Sequence, residues 1–242
     1  NIPGAKYHDG GRIAFGPDKL LYLTTGDAGN PDASQDKNSL AGKILRIKDG
    51  GGIPADNPFD NPVYSLGHRN PQGLAWDSSE NLWITEHGPS GLEKGLDEIN
   101  LIEKGQNYGW PRVIYGSDYG KKVWPANMVQ NDHRGFEKPT FAWTPSVGVS
   151  QVIQVEQSLF SAWKGNLLVA SLNGNTLFRI QLQDGSVVYN EPIVFDQRIR
   201  DMIEMPTGEI YLWTDEKNMF KLSSVEQRPK ANETLAEAGQ RL

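Results

Sequence analysis

GLAWDSSENLWITEHG, running from Gly73 to Gly88, is an apolar stretch, a polar turn and a second apolar stretch in which Leu82 and Ile84 alternate with their neighbours. That order is the signature of a β-hairpin. The same pattern recurs three more times, as RIAFGPDKLLYLTTGDA from Arg12, LFSAWKGNLLVASLNG from Leu159 and DMIEMPTGEIYLWTDE from Asp201. Leu20 and Tyr22, and again Ile210 and Leu212, keep the alternation in the second strands. A further strand follows each hairpin: Lys43 to Lys48, Asp97 to Ile102, Thr176 to Leu182 and Asn218 to Val225. One supersecondary unit repeated in this way is how a β-propeller is built, and roughly 40 to 50 residues per blade fits about four to five blades into the chain. A β-sandwich is the simpler alternative, but sandwiches do not repeat one hairpin. The all-β propeller is therefore expected over residues 1–227, with a charged tail at 228–242.

Composition agrees. The 26 Gly and 15 Pro among 242 residues suit many tight turns and would interrupt a helical bundle. With no Cys, disulfides, thiolate metal sites and cysteine nucleophiles are excluded. A net charge of −6 argues against nucleic acid as a partner. No apolar run approaches the roughly 20 residues of a membrane-spanning helix. The stretches Asp27 to Asn61, with one strand inside it, and Gly109 to Lys138 are rich in turn formers and read as long surface loops, of a length that usually shapes a site.

Four places could carry chemistry. GHRNPQG, Gly67 to Gly73, compresses Arg69 and Asn70 into a turn able to offer a cation and an amide to an electron-rich oxygen, or else to stand as an ordinary exposed turn. QRIRD sets Arg198 and Arg200 on one face of an extended segment, where a shared anion would relieve their repulsion; a charged edge strand is the alternative. His8, in YHDGGR, is a candidate general base or a hydrogen-bonded loop residue. The run Glu86 to Leu101 offers carbonyls at Gly88 and Pro89 and the carboxylates of Asp97 and Glu98, hard oxygen donors that suit calcium, without EF-hand spacing. Zincin, α/β-hydrolase, P-loop and Rossmann signatures do not occur.

Taken in order, HDGGRIAFGPD, GKILRI, SLGHRNPQGLAWD, TEHGP, DEINLIEKGQNYGWP and RIRDM resemble the soluble quinoprotein glucose dehydrogenase and aldose sugar dehydrogenase family, from about Tyr7 to Leu222. The resemblance implies a six-bladed propeller that uses pyrroloquinoline quinone (PQQ) and calcium to oxidise the C1 hydroxyl of aldoses to lactones, passes electrons to a separate acceptor, and is periplasmic or secreted. It makes His8 the base and Arg69 the group that stabilises charge on the quinone oxygen, with Asn70 beside it. Arg198 and Arg200 would hold carboxylates of the cofactor. Backbone carbonyls of Gly88 and Pro89 would hold the cofactor calcium, and Glu98 and Tyr108 match a further calcium site.

Two positions depart from the pattern. Asn173, in SLNGN, stands where the glucose dehydrogenases have a cofactor-binding Lys, and His87 stands where they have Gln. Family members also extend upstream of the His8 motif, so this chain is expected to supply about four blades, the others being lost to processing or supplied by another chain. Two rivals share the same fold: a non-catalytic propeller that binds a protein or glycan partner, and a calcium-dependent propeller lactonase.

Overall fold

A computed structural model describes residues 1–89, 96–114, 129–130, 133–157 and 159–223. The sequence expectation for a tail at 228–242 lies outside the described residues.

The chain folds into consecutive antiparallel sheets. The first comprises β1 (Gly10–Phe15), β2 (Leu21–Thr25), β3 (Lys43–Ile47) and β4 (Val63–Leu66), in that order. The second begins with β5 (Pro71–Trp76), β6 (Leu82–Glu86) and β7 (Asp97–Ile102). A short parallel pair, β8 (Val113–Ile114) and β9 (Val129–Gln130), lies in the excursion that follows, before β10 (Phe141–Trp143) returns to complete the second sheet against β7. The third sheet runs β11 (Val149–Gln154), β12 (Leu167–Ser171), β13 (Thr176–Gln183) and β14 (Ser186–Val194). The fourth runs β15 (Ile199–Glu204), β16 (Ile210–Thr214) and β17 (Met219–Leu222).

Each quoted hairpin supplies the first two strands of a sheet, or, from Leu159, the second strand. The first strands are neighbours in space: β1 lies beside β5, β5 beside β11, and β11 beside β15. Facing sheets then bury the alternating apolar residues between them. Tyr22 and Ile44 meet Leu74, Ile84 and Ile102 between the first and second sheets. Trp83 and Ile99 meet Val152, Val169 and Ile180 between the second and third. Leu168, Ala170 and Leu177 meet Met202, Ile210 and Leu212 between the third and fourth. The fold is thus all-β, with sheets succeeding one another around a shared inner edge as propeller sheets do.

The outward faces of the first and last sheets are different. Ile13 and Phe15 on β1, and Ile203, Trp213 and Met219 on the last sheet, are all more than half exposed. A cavity of about 600 Å³ lies between these faces. Across it Arg12 Nη1 meets Asp201 Oδ2 at 2.8 Å, joining β1 to β15.

The stretch from Asp27 to Asn61 is largely exposed loop around β3, as read, but a few of its polar residues turn inward. Within the 3-10 turn Pro31–Gln35 only Ser34 is buried, and Asp27 and Asn57 are buried on either side of it. Their polar groups are satisfied internally, which is what permits the burial. Lys43, wholly buried, shows how. Its Nζ donates to Ala33 O (2.8 Å), Ser34 O (3.0 Å) and Ala41 O (2.7 Å), closing the turn over the start of β3. Burial pushes its pKa down to about 8, and Asp36 pulls the other way. Lys43→Met would leave three carbonyls without their donor, at a cost of about 2 to 4 kcal/mol. At the size of this chain that is a fall in Tm of roughly 5 to 15 °C in a thermal melt; an unchanged Tm would mean that water replaces the ammonium at no cost.

Candidate functional site

Gly67 to Asn70 links β4 to β5, and its side chains are not exposed as an ordinary turn would have them: His68, Arg69 and Asn70 are all buried. The backbone explains this. Ser34 Oγ donates to His68 O (2.8 Å), the His68 amide donates to Gly42 O (3.2 Å), and the Asp27 amide donates to Arg69 O (2.8 Å). Gly67 has a φ of 80°, and a Cβ there would lie 2.2 Å from Asn107 Oδ1. Only glycine meets both conditions. Asn107 belongs to GQNYGWP, whose Tyr108 ring stacks on His68 at 4.9 Å and whose Trp110 amide donates to Gly67 O at 2.9 Å. The two most distinctive motifs of the sequence are therefore two halves of one packed unit.

His68 sits within a sealed polar group. Its Nε2 meets Ser65 Oγ at 2.8 Å and its Nδ1 meets Glu86 Oε2 at 2.9 Å. Glu86 Oε1 accepts the amide of Arg69. With Ser65 and His68 at 0 % exposure, a Ser–His–Glu set of this kind holds the Arg69 backbone rather than meeting a substrate.

His8 and Arg69 share a support that sequence reading missed. His8 Nδ1 lies 2.8 Å from Asp27 Oδ1, and Trp110 Nε1 donates to Asp27 Oδ2 at 2.9 Å. A carboxylate only accepts, so His8 Nδ1 carries the proton and Nε2 keeps its lone pair. The Arg69 guanidinium lies 5.4 Å over the Trp110 ring, and its Nη1 donates to His87 O at 3.0 Å. Asp27, wholly buried, thus ties the base candidate to the ring that bears the cation. Gly26 makes room for this, since a Cβ there would lie 1.8 Å from His8 O.

Arg198, just before β15, and Arg200, within it, flank Ile199, which lies in the core. Their common anion is in the chain itself. Asp215 accepts from Arg198 Nε (2.9 Å) and from Arg200 Nε and Nη2 (2.9 and 3.0 Å), and Asn173 Oδ1 accepts from Arg198 Nη1 (2.6 Å). The arginines hold the Asp215 carboxyl below the usual carboxylate range. Two guanidinium groups over one carboxylate retain a net positive charge. His87 lies between the two halves of the site. Burial pushes its pKa down, Asp97 opposes this, and Arg69 and Arg200 both push it down further.

The oxygen donors of Glu86 to Leu101 are only partly as expected. Asp97 is not a free ligand: its Oδ2 accepts the amides of Val147, Gly148 and Val149 (2.9, 2.5 and 3.2 Å), and Oδ1 accepts that of Gly88 (3.3 Å). The Tyr108 hydroxyl is committed to the backbone, donating to Leu101 O (2.6 Å) and accepting from the Glu103 amide (2.9 Å). Glu98 stands opposite Glu86 across the β6–β7 pair. Burial, with the nearby carboxylates of Glu86 and Asp97, pushes it up to about 8. Gly88 and Pro89 are buried at the end of β6, beside residues 90–95, which lie outside the described set. Among the described residues no group of three or more His, Asp or Glu is arranged to hold a metal, and no helix is long and apolar enough to cross a membrane.

Comparison with known proteins follows the same lines. A family model described as Glucose / Sorbosone dehydrogenase matches residues 2–222. Aldose sugar dehydrogenase YliI of Escherichia coli K12 is 36% identical over 223 residues, covering 87% of this chain and 58% of the relative. Quinoprotein glucose dehydrogenase B of Acinetobacter calcoaceticus is 32% identical over 292 aligned positions, covering 88% of this chain and 60% of the relative. The PQQ-bound form of aldose sugar dehydrogenase from Streptomyces coelicolor superposes with a TM-score of 0.73 at 36% identity, covering 90% of this chain and 59% of that one. The chain accordingly spans under two thirds of the length of each of these relatives. With strand order, motif packing and these matches in agreement, the chain belongs to the glucose/sorbosone dehydrogenase family.

Proposed function

We propose that this chain carries the catalytic face of a quinoprotein dehydrogenase that oxidises the C1 hydroxyl of aldose sugars to lactones, with PQQ as cofactor and calcium beside it. The observation that carries this reading is the linkage of His8 to Arg69 through Asp27 and Trp110, together with a net-positive two-arginine pair whose Arg200, like Arg69, acts on the charge of His87. The residues present fit the cofactor. A tricarboxylic quinone needs cations that are fixed and not fully neutralised, and Arg198 and Arg200 are fixed by one shared carboxylate. Calcium fits too, because a carboxyl raised by burial and by neighbouring carboxylates, as at Glu98, is what a cation relieves. Asn100 Oδ1, buried beside it, has no hydrogen-bond partner.

In this reading Arg198 and Arg200 hold cofactor carboxylates, with Asn173 fixing Arg198, and Asn70 contacts the quinone. Carbonyls of Gly88 and Pro89 hold the cofactor calcium, and the Glu98 carboxylate with the backbone carbonyl of Tyr108, whose hydroxyl is committed elsewhere, a further one. When bound, the quinone accepts hydride from the sugar C1. His8 takes the hydroxyl proton on Nε2, while Asp27 stabilises the imidazolium from the Nδ1 side. Arg69 places a fixed cation where negative charge grows. The electrons then leave for a separate acceptor. We further propose that added β-sheet completes a six-bladed ring by covering Ile13, Phe15, Ile203, Trp213 and Met219, a reading supported by their exposure and by the greater length of the relatives. A periplasmic or secreted location goes with the same reading.

The test is reconstitution with PQQ and calcium followed by dye reduction with a panel of aldoses. Turnover on aldoses is expected; quinone binding with no turnover on any aldose would leave a binding module instead. Arg198→Ala is expected to raise the PQQ Kd about ten- to a hundredfold, the scale of a lost hydrogen bond to a charged group, with kcat at saturation close to wild type. A fall in kcat with unchanged Kd would move Arg198 from holding the cofactor to the chemistry.

A further inference from the structure

His87 follows β6 at the point where the Arg69 turn meets the third sheet, and both of its ring nitrogens are engaged. Nε2 lies 2.6 Å from Val149 O, and Nδ1 lies 3.3 Å from Asn70 Nδ2. A carbonyl only accepts, so Nε2 carries the ring proton and Nδ1 is a lone-pair acceptor for the Asn70 amide. Asn70 Oδ1 in turn accepts from the Gly10 amide (3.1 Å) and from Gln72 Nε2 (3.0 Å). The Asn70 side chain therefore cannot be turned over. Reversal would set its oxygen against the His87 lone pair and its NH₂ against two donors.

The His87 backbone serves the same turn. Its amide donates to Asn70 O (3.1 Å), and its carbonyl accepts from Arg69 Nη1 (3.0 Å). Val149, which fixes the ring, is itself held by the Asp97 carboxylate through its amide (3.2 Å). The contacts form one path from Asp97 through Val149 and the His87 ring to Asn70.

We infer that His87 is a positioning residue: its ring, held by Val149 O, fixes which way round the Asn70 amide is presented, and its carbonyl fixes the Arg69 guanidinium, so that both reach the cofactor already oriented. The inference rests on the cofactor reading above for its consequence, but not for its geometry. Asn70 keeps one N–H beyond the bond to His87, and that N–H is the one oriented for a ligand. An acceptor and a donor on opposite sides of one side chain are also what glutamine can present, whereas alanine presents neither.

Two measurements decide it. In the ¹⁵N spectrum of the whole chain without cofactor, His87 is expected as the Nε2–H tautomer, and the Asn70 side-chain amide is expected to exchange faster with water in H87A than in wild type. With PQQ and calcium, followed by quenching of tryptophan emission, H87A is expected to bind PQQ about tenfold more weakly, the equivalent of about one net hydrogen bond. H87Q is expected within about threefold of wild type, because it restores a donor and an acceptor. An Nδ1–H tautomer, or H87Q as weak as H87A, would overturn the inference. Failure of the wild-type chain to bind PQQ would instead count against the dehydrogenase reading, and the tautomer and amide exchange would still decide the role of His87.

Discussion

Replacing His8 by alanine is expected to lower kcat for aldose oxidation by about a hundred- to ten-thousandfold, the range that a positioned general base contributes. Hydroxyl deprotonation has to accompany hydride loss from the same carbon, because an alkoxide-like oxygen pushes the hydride out. The Nε2 lone pair left open by the Asp27 contact is the acceptor for that proton. The loss should fall on kcat and spare the cofactor. Among the described residues no hydrogen bond or ion pair joins His8 to Arg198, Arg200 or Asp215, and the Asp27 carboxylate retains Trp110 Nε1 and the Gly29 amide when the imidazole is gone. Steady-state kinetics on the reconstituted protein, with PQQ affinity measured in parallel, separates the two effects. A His8→Ala protein with near wild-type kcat would take the base away from His8.

Arg69→Ala is expected to be the second most damaging change, lowering kcat by about a hundred- to a thousandfold, as when a donor aimed at developing charge is removed. The guanidinium spans the Trp110 face and the His87 carbonyl, so its position is fixed before any ligand arrives. A preorganised cation needs no rearrangement as charge grows, which is why the effect should appear in kcat more than in PQQ affinity. Lysine should restore little. A compact ammonium lacks the planar fork that stacks on an indole while donating sideways to a carbonyl. Full rescue by Arg69→Lys would mean that only the charge matters and that the Trp110 platform does not.

Strand order was the easiest part to read. Alternation at Leu82 and Ile84, or at Ile210 and Leu212, follows from successive side chains pointing to opposite faces of a sheet, and the turn residues between paired strands are local signals. Burial of Asp27, Ser34, Lys43 and Asn57 was not legible, because a polar side chain goes inside only when its partners are in place. The partners of Lys43 are carbonyls, which no side-chain pattern reveals. The return of β10 to the second sheet after a long excursion was equally hidden, since Phe141 to Trp143 is too short to show a period.

At the site, His8, Arg69, Asn70, Arg198 and Arg200 were visible as residue types in suggestive settings and through the family resemblance. Their supports were not. Asp27 follows the hairpin strand as an ordinary Gly-Asp turn, and Asp215 ends another hairpin in the same way. Each acquires its meaning from a partner brought in by folding, and Asp97 was misread for the same reason. A carboxylate that looks available in sequence is filled by backbone amides in space.

Diffraction from crystals of the chain grown with PQQ and calcium puts the central claim to the most direct test. The account predicts quinone density bounded by His8 Nε2 and Arg69, with its carboxylates on Arg198 and Arg200. Ordered PQQ bound away from these four side chains would contradict it.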